Sequence, residues 1–235
     1  DTRVTPAPEA DGTYLSESVI QFVAKARTGS GWSFLRWSGD VSGTNPALQV
    51  TVDRPLRVVP EFGTPLTVTN FGDGSVVLKP PLGVYARGEG VQAYALPAPG
   101  SYLDSWGGIG TGNTNPLAFK IQGPVPALSA QYRPLPSGYV SVAGAPTGPG
   151  RIERDPSQPY YLTNSPVTVK AVPDPGAYFV GWKAGASGTE KTLWLSPTSS
   201  FLLTAEFALV PTNQFFVDAA HNEHGHFLFL PPAPY

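Results

Sequence analysis

The chain has 235 residues, 15 basic and 17 acidic side chains and a formal net charge of −2. Only 14% of residues are charged, against about 25% in ordinary globular chains, while 41% are hydrophobic and 11% aromatic. This excludes a disordered polyelectrolyte and supplies no basic field for nucleic acid or an anionic membrane, and no apolar run approaches the roughly 20 residues of a membrane helix.

In chain order, the first element is the segment 16–26, whose Val19, Ile20, Phe22 and Val23 suit a helix or a strand. Next comes Gly31-Trp-Ser-Phe-Leu-Arg-Trp37-Ser-Gly, then an alternating run ending on Glu61-Phe62. Leu66-Thr-Val-Thr-Asn starts a second series, and Asn70-Phe-Gly-Asp-Gly74 reads as the turn of a hairpin between its first two strands. Val91-Gln-Ala-Tyr-Ala-Leu follows, then Gly100-Ser-Tyr-Leu-Asp-Ser-Trp106-Gly-Gly and a run closing on Gln131-Tyr132. Tyr139-Val-Ser-Val-Ala opens a third series, continued by Val167-Thr-Val-Lys-Ala-Val, Gly176-Ala-Tyr-Phe-Val-Gly-Trp182 and the strand that reaches Glu206-Phe207. The 26 Gly and 27 Pro fall between these runs, where they break helices and favour short strands.

The series repeat. Trp37, Trp106 and Trp182 recur at nearly equal steps, and at one fixed offset after each stands Gly43, Gly112 or Gly188. Upstream of each Trp, at a nearly constant distance, lies Tyr14, Tyr85 or Tyr161. A fixed period of this kind is the signature of tandem modules. The repeats run over 1–62, 65–132 and 138–208, and 213–235 begins a fourth. The first repeat opens at Arg3-Val-Thr-Pro, where the second is already on its second strand, so it lacks a first strand. Asp1 in place of an initiator Met reads as a processed form or a fragment.

The pattern of Tyr, alternating strand, aromatic-x-x-Trp, Gly and closing Ala-x-aromatic resembles the internalin-type B-repeat family in its divergent bacterial form. Phe34/Trp37, Leu103/Trp106 and Phe179/Trp182 carry the central motif, and Ala130-Gln-Tyr132 and Ala205-Glu-Phe207 the closing one. Two positions depart from it. Val59-Pro-Glu-Phe62 has Pro where Ala is expected, and Ala184 replaces a Gly after the third Trp. The resemblance implies a mostly β chain of tandem small β-grasp-like or β-sandwich-like modules in exported bacterial proteins, and it brings no catalytic residues.

Large side chains recurring at one position of a small module belong to its core. Trp37, Trp106, Trp182, Phe62, Tyr132 and Phe207 are therefore expected as core, whereas Trp32 and Trp194 break the pattern and are the candidates for ligand contact. His221, His224 and His226 lie close together and offer imidazole ligands for a transition metal. Their position corresponds to the polar Asn70–Gly74 turn, so a solvated turn is preferred and no metal is expected. Asp40 and Asp73 sit in turns without a calcium-loop pattern. No nucleophile elbow is present. The reading is a non-enzymatic protein with no cofactor, extracellular or at the bacterial surface, which suits a chain free of Cys and Met.

Two functions follow as expectations. The first is a structural stalk, spacer or fibre subunit whose partners are neighbouring repeats or other copies of itself. In that reading Phe215, Phe216 and Val217 are donated as a strand to the incomplete first repeat of the next copy. The alternative is an adhesion module that binds carbohydrate or a cell-surface protein.

Overall fold

Period-two alternation between turn residues produces twenty strands and no helix among residues 1–211, which the computed structural model describes. The first repeat supplies β1 (Thr2–Thr5), β2 (Ser18–Ala24), β3 (Ser33–Gly39), β4 (Ala47–Val52) and β5 (Val58–Thr64). The middle repeat supplies β6 (Thr67–Phe71), β7 (Gly74–Lys79), β8 (Tyr85–Ala86), β9 (Gly90–Pro97), β10 (Ser101–Gly108), β11 (Leu117–Lys120) and β12 (Ala127–Pro134). The third supplies β13 (Tyr139–Val140), β14 (Val142–Thr147), β15 (Gly150–Asp155), β16 (Tyr161–Leu162), β17 (Val167–Pro173), β18 (Ala177–Ala184), β19 (Thr192–Leu195) and β20 (Phe201–Leu209). The ambiguous segment 16–26 is a strand: Ile20 and Ala24 are buried, while Val19 and Val23 point outward.

While β13 and β16 of the third repeat pair as a two-stranded sheet, most strands of each repeat fall into two three-stranded ones. In the third repeat these run β14-β20-β18 and β15-β17-β19, in the middle repeat β6-β12-β10 and β7-β9-β11. The first repeat has β1-β2-β4 and β3-β5-β8, the last strand of which comes from the middle repeat. In the third repeat Val142, Ile152, Val169, Trp182, Leu203 and Phe207, drawn from both sheets, share one core. The expected β architecture is therefore present, as sandwiches. The first strand of a complete set lies parallel to the last, Val142 opposite Phe201 and Thr67 opposite Ala127. The hairpin expected at Asn70–Gly74 is accordingly a crossing between sheets, because β6 pairs with β12 and β7 with β9. Pairing β6 with β7 would leave one flank of β12, with its buried Leu128, Ala130 and Tyr132, uncovered.

The chain forms two compact units. One takes Asp1–Gly72, Val76–Tyr94 and Asp104–Gln131; the other takes Asp73–Ser75, Ala95–Leu103 and the chain from Tyr132 onward. The middle repeat thus contributes to both.

Candidate functional site

The repeated tryptophans are packed into the sandwiches and bonded to their own loops. Trp37, Trp106 and Trp182 are 1%, 4% and 4% exposed. Each indole N–H donates to a backbone carbonyl at the same offset along the chain, that of Asn45, Thr114 or Glu190, at 2.8 to 2.9 Å. Each Trp backbone N–H donates to the carbonyl of the motif glycine, Gly43, Gly112 or Gly188, at 2.7 to 3.0 Å. One side chain therefore fills the core and also closes the loop that leads to the next strand. The spacing of the motif has a geometric cause. Residues three apart on a regular strand face opposite ways, yet the rings of Phe34 and Trp37 meet at a tilt and those of Phe179 and Trp182 edge-on, each pair with centroids 5.4 Å apart. A register shift between Phe34 and Arg36, and another between Phe179 and Gly181, inserts the extra residue that turns both rings inward.

Of the closing aromatics, Tyr132 and Phe207 are 3% exposed, but Phe62 is only half-buried. Tyr132 donates its hydroxyl to the Ser75 carbonyl, and burial pushes its pKa up to about 12. Gly74 and Gly150 lie against the rings of Tyr132 and Phe207, where a Cβ would come within 2.6 Å and 2.5 Å. Asp40, considered for calcium, accepts from the Arg57 backbone N–H at 2.7 Å, an ordinary turn role.

The aromatics outside the repeat pattern divide by location. Trp32 is half-buried against the cluster of Tyr85, Val91 and Ile121, so it joins the first repeat to the start of the middle one. Nearby, the Val125 backbone N–H donates to the fully buried Thr64 hydroxyl at 2.8 Å. In the second unit Tyr102 meets Tyr160 edge-on at 4.7 Å, and Tyr160 meets Tyr139 edge-on at 5.2 Å. Trp194 differs from all of these. It lies on β19 with 80% of its surface in solvent.

The open feature of the molecule is one flank of the first repeat. The counterparts of the buried Leu128, Ala130 and Tyr132, and of Leu203, Ala205 and Phe207, are Val58, Pro60 and Phe62, and all three are half-exposed. Among the described residues, the sheet β3-β5-β8 has no parallel strand in the place that β6 and β14 occupy in the other repeats. β8 covers only Gly63 and Thr64. Beside the uncovered stretch is a cleft of about 660 Å³ lined by Val4, Ile20, Phe22, Val52, Leu56 and Val58. In the third repeat that space belongs to Val142, buried in a core with Val167 and Val169, the counterparts of Ile20 and Phe22. There the Arg154 guanidinium donates to the Val142 carbonyl, and burial lowers its pKa, an effect opposed by Tyr161.

One recurring contact carries no signal in period-two reading. Tyr14, Tyr85 and Tyr161 donate their hydroxyls to the carbonyls of Pro6, Pro80 and Pro156, at 3.3, 2.9 and 2.7 Å. Each of those prolines follows a cis peptide bond. The visible trace in sequence is a Pro shortly before each aligned Tyr. His221, His224 and His226, and the strand candidates Phe215, Phe216 and Val217, lie outside the described residues.

A comparison with curated proteins finds no match. Residues 140–211 match the family model of the divergent InlB B-repeat domain. That segment holds the third Pro–Tyr clamp, the third indole latch and the parallel pair of β14 and β20, and it is similar to the family to which the tryptophan motif already pointed.

Proposed function

We propose that the chain is a non-enzymatic structural repeat segment of a bacterial surface protein, in which successive sandwiches give length, and in which copies associate head to tail by strand addition. The observation that carries this reading is where the non-repeating aromatics lie. Trp32 in the first unit and the Tyr102–Tyr160–Tyr139 cluster in the second sit at junctions between consecutive repeats. Aromatic burial at a junction favours one orientation of neighbouring modules, which a spacer needs. The family match at residues 140–211 points the same way, to repeats of exported proteins. Dyes on cysteines introduced at the exposed Leu15 and Leu82, one on each side of the Trp32 junction within the first unit, test it in a chain with no Cys of its own. A single narrow transfer-efficiency peak is expected, broadened by Trp32→Ala. A broad distribution in the unaltered chain would overturn the reading.

Trp194 supports a second reading. An indole 80% exposed on a strand offers a flat face to a sugar ring. Glycan-array binding that Trp194→Ala abolishes would establish the adhesion alternative.

A further inference from the structure

We infer that the outward face of the sheet β15-β17-β19 binds an uncharged, β-linked hexopyranose chain, with one ring stacked on Trp194 and the next bonded by Thr168 and Asp155. The inference rests on the adhesion reading above and names its ligand class and polar partners.

The strand register assembles the face. Trp194 stands opposite Thr168, and Thr168 opposite Asp155, so the three form one row across the sheet. Antiparallel partners project to the same side, and the intervening Ile152, Val167 and Val169 are turned into the core. Two strand spacings of about 4.8 Å make the row roughly 10 Å long, room for a stacked ring and its neighbour along a chain. About 7 Å along the strands, Thr192, Lys170 and Glu153 form a second row. Glu153 is held there by an ion pair with Arg151 at 2.7 Å.

The sandwich itself does not call for the indole. Its place is taken by Gln49 opposite Gln21 in the first repeat and by Ala118 opposite Gln92 in the middle one. Those sheets form with no aromatic at the position. Trp194 also keeps 80% of its surface in solvent, unlike Trp37, Trp106 and Trp182, so its ring adds little to the core.

The chemistry of the face selects the ligand. The indole face carries the negative lobe of the ring quadrupole and attracts weakly positive C–H groups. A β-linked pyranose with equatorial hydroxyls offers such groups on both faces of its ring, and its chains are flat. Its hydroxyls lie around the rim, where the Asp155 carboxylate accepts and the Thr168 hydroxyl both donates and accepts. The neighbours of Trp194 on the face are hydroxyl and charged side chains, which suits a sugar better than an apolar protein surface. The outward charges of the three strands balance, Arg151 and Lys170 against Glu153 and Asp155. A balanced face has no net field to draw an acidic or a basic sugar, which leaves an uncharged chain.

Cellohexaose is the probe, titrated into the full chain while the indole N–H signals are followed by NMR. The signal lost in Trp194→Ala should shift, and those of Trp37, Trp106 and Trp182, bonded to their own loops, should stay in place. Trp194→Ala should weaken binding by about tenfold. Thr168→Val and Asp155→Asn should each weaken it several-fold, with thermal melts unchanged. No shift of the Trp194 signal at the solubility limit of cellohexaose would overturn the inference. So would binding that Thr168→Val and Asp155→Asn both leave intact, or tighter binding of hexagalacturonate or of a chitosan hexamer. If cellohexaose fails while a glycan array still shows binding that depends on Trp194, the ligand class falls and the adhesion reading stands. If no glycan on the array depends on Trp194, both fall.

Discussion

At each Trp of the repeat, one indole does two jobs, and their energies can be separated. Burial in the sandwich removes a large apolar surface from water, and the indole N–H bond to Asn45, Thr114 or Glu190 holds the loop. Trp106→Ala is expected to destabilise the chain by about 3–5 kcal/mol, read by urea denaturation, whereas Trp106→Phe keeps much of the burial and loses the bond, worth about 1 kcal/mol. Tyr132 gives a pH signature. Its pKa is raised to about 12 from the ordinary 10.0, chiefly by burial. A raised folded pKa means that the unfolded chain loses its proton first, so this stability is present below pH 10 and fades as pH rises toward 12. Tyr132→Phe should lower stability near neutral pH, through the lost bond to Ser75. The gap between variant and unaltered chain should then narrow above pH 10 in thermal melts, and a constant gap would show that the hydroxyl is not protected by burial.

Among the strands, the two ends of the repeat behave differently. The second-to-fifth strand set recurs in all three repeats, held by the Pro–Tyr clamp and the indole latch, while the parallel first strand is present only as β6 and β14 among the described residues. Pro60 is the sequence mark of that difference. An edge strand carries Pro at no cost where the missing N–H faces solvent, and Pro discourages pairing there. Pro60→Ala is expected to restore the donor that Ala130 and Ala205 retain. It should increase self-association of the full chain in sedimentation velocity, with little change in the unfolding of a monomeric sample. Unchanged association would mean that Pro60 does not limit pairing at the β5 edge.

For the chain as a whole, exposed and half-buried tryptophans separate two kinds of surface. Trp32→Ala removes packing against Tyr85, Val91 and Ile121. It should lower the stability of the first unit by well more than the change of about 0.5 kcal/mol that bounds ordinary surface substitutions. Trp194→Ala, at 80% exposure, should stay within that bound. Calorimetry of both variants checks the pair, and a large loss at Trp194 would contradict its exposed position.

Local chemistry alone made much of this legible. Alternating apolar residues between Gly and Pro specify short strands, and a large aromatic recurring once per repeat specifies a core position, because those constraints act within a few residues. Which strands pair was not legible. The Asn70–Gly74 segment has the composition of a hairpin turn, yet β6 lies against β12, at the far end of the same repeat, since strand partners are chosen by which apolar rows need cover and not by the turn between them. The same holds for Trp32. Sequence marks it only as a break in the pattern, and the neighbour that buries it, the Tyr85 cluster, is brought beside it by the start of the next repeat. The exposure of β5 is likewise a tertiary fact: its residues are as apolar as their buried counterparts, and among the described residues no strand pairs with them on that side.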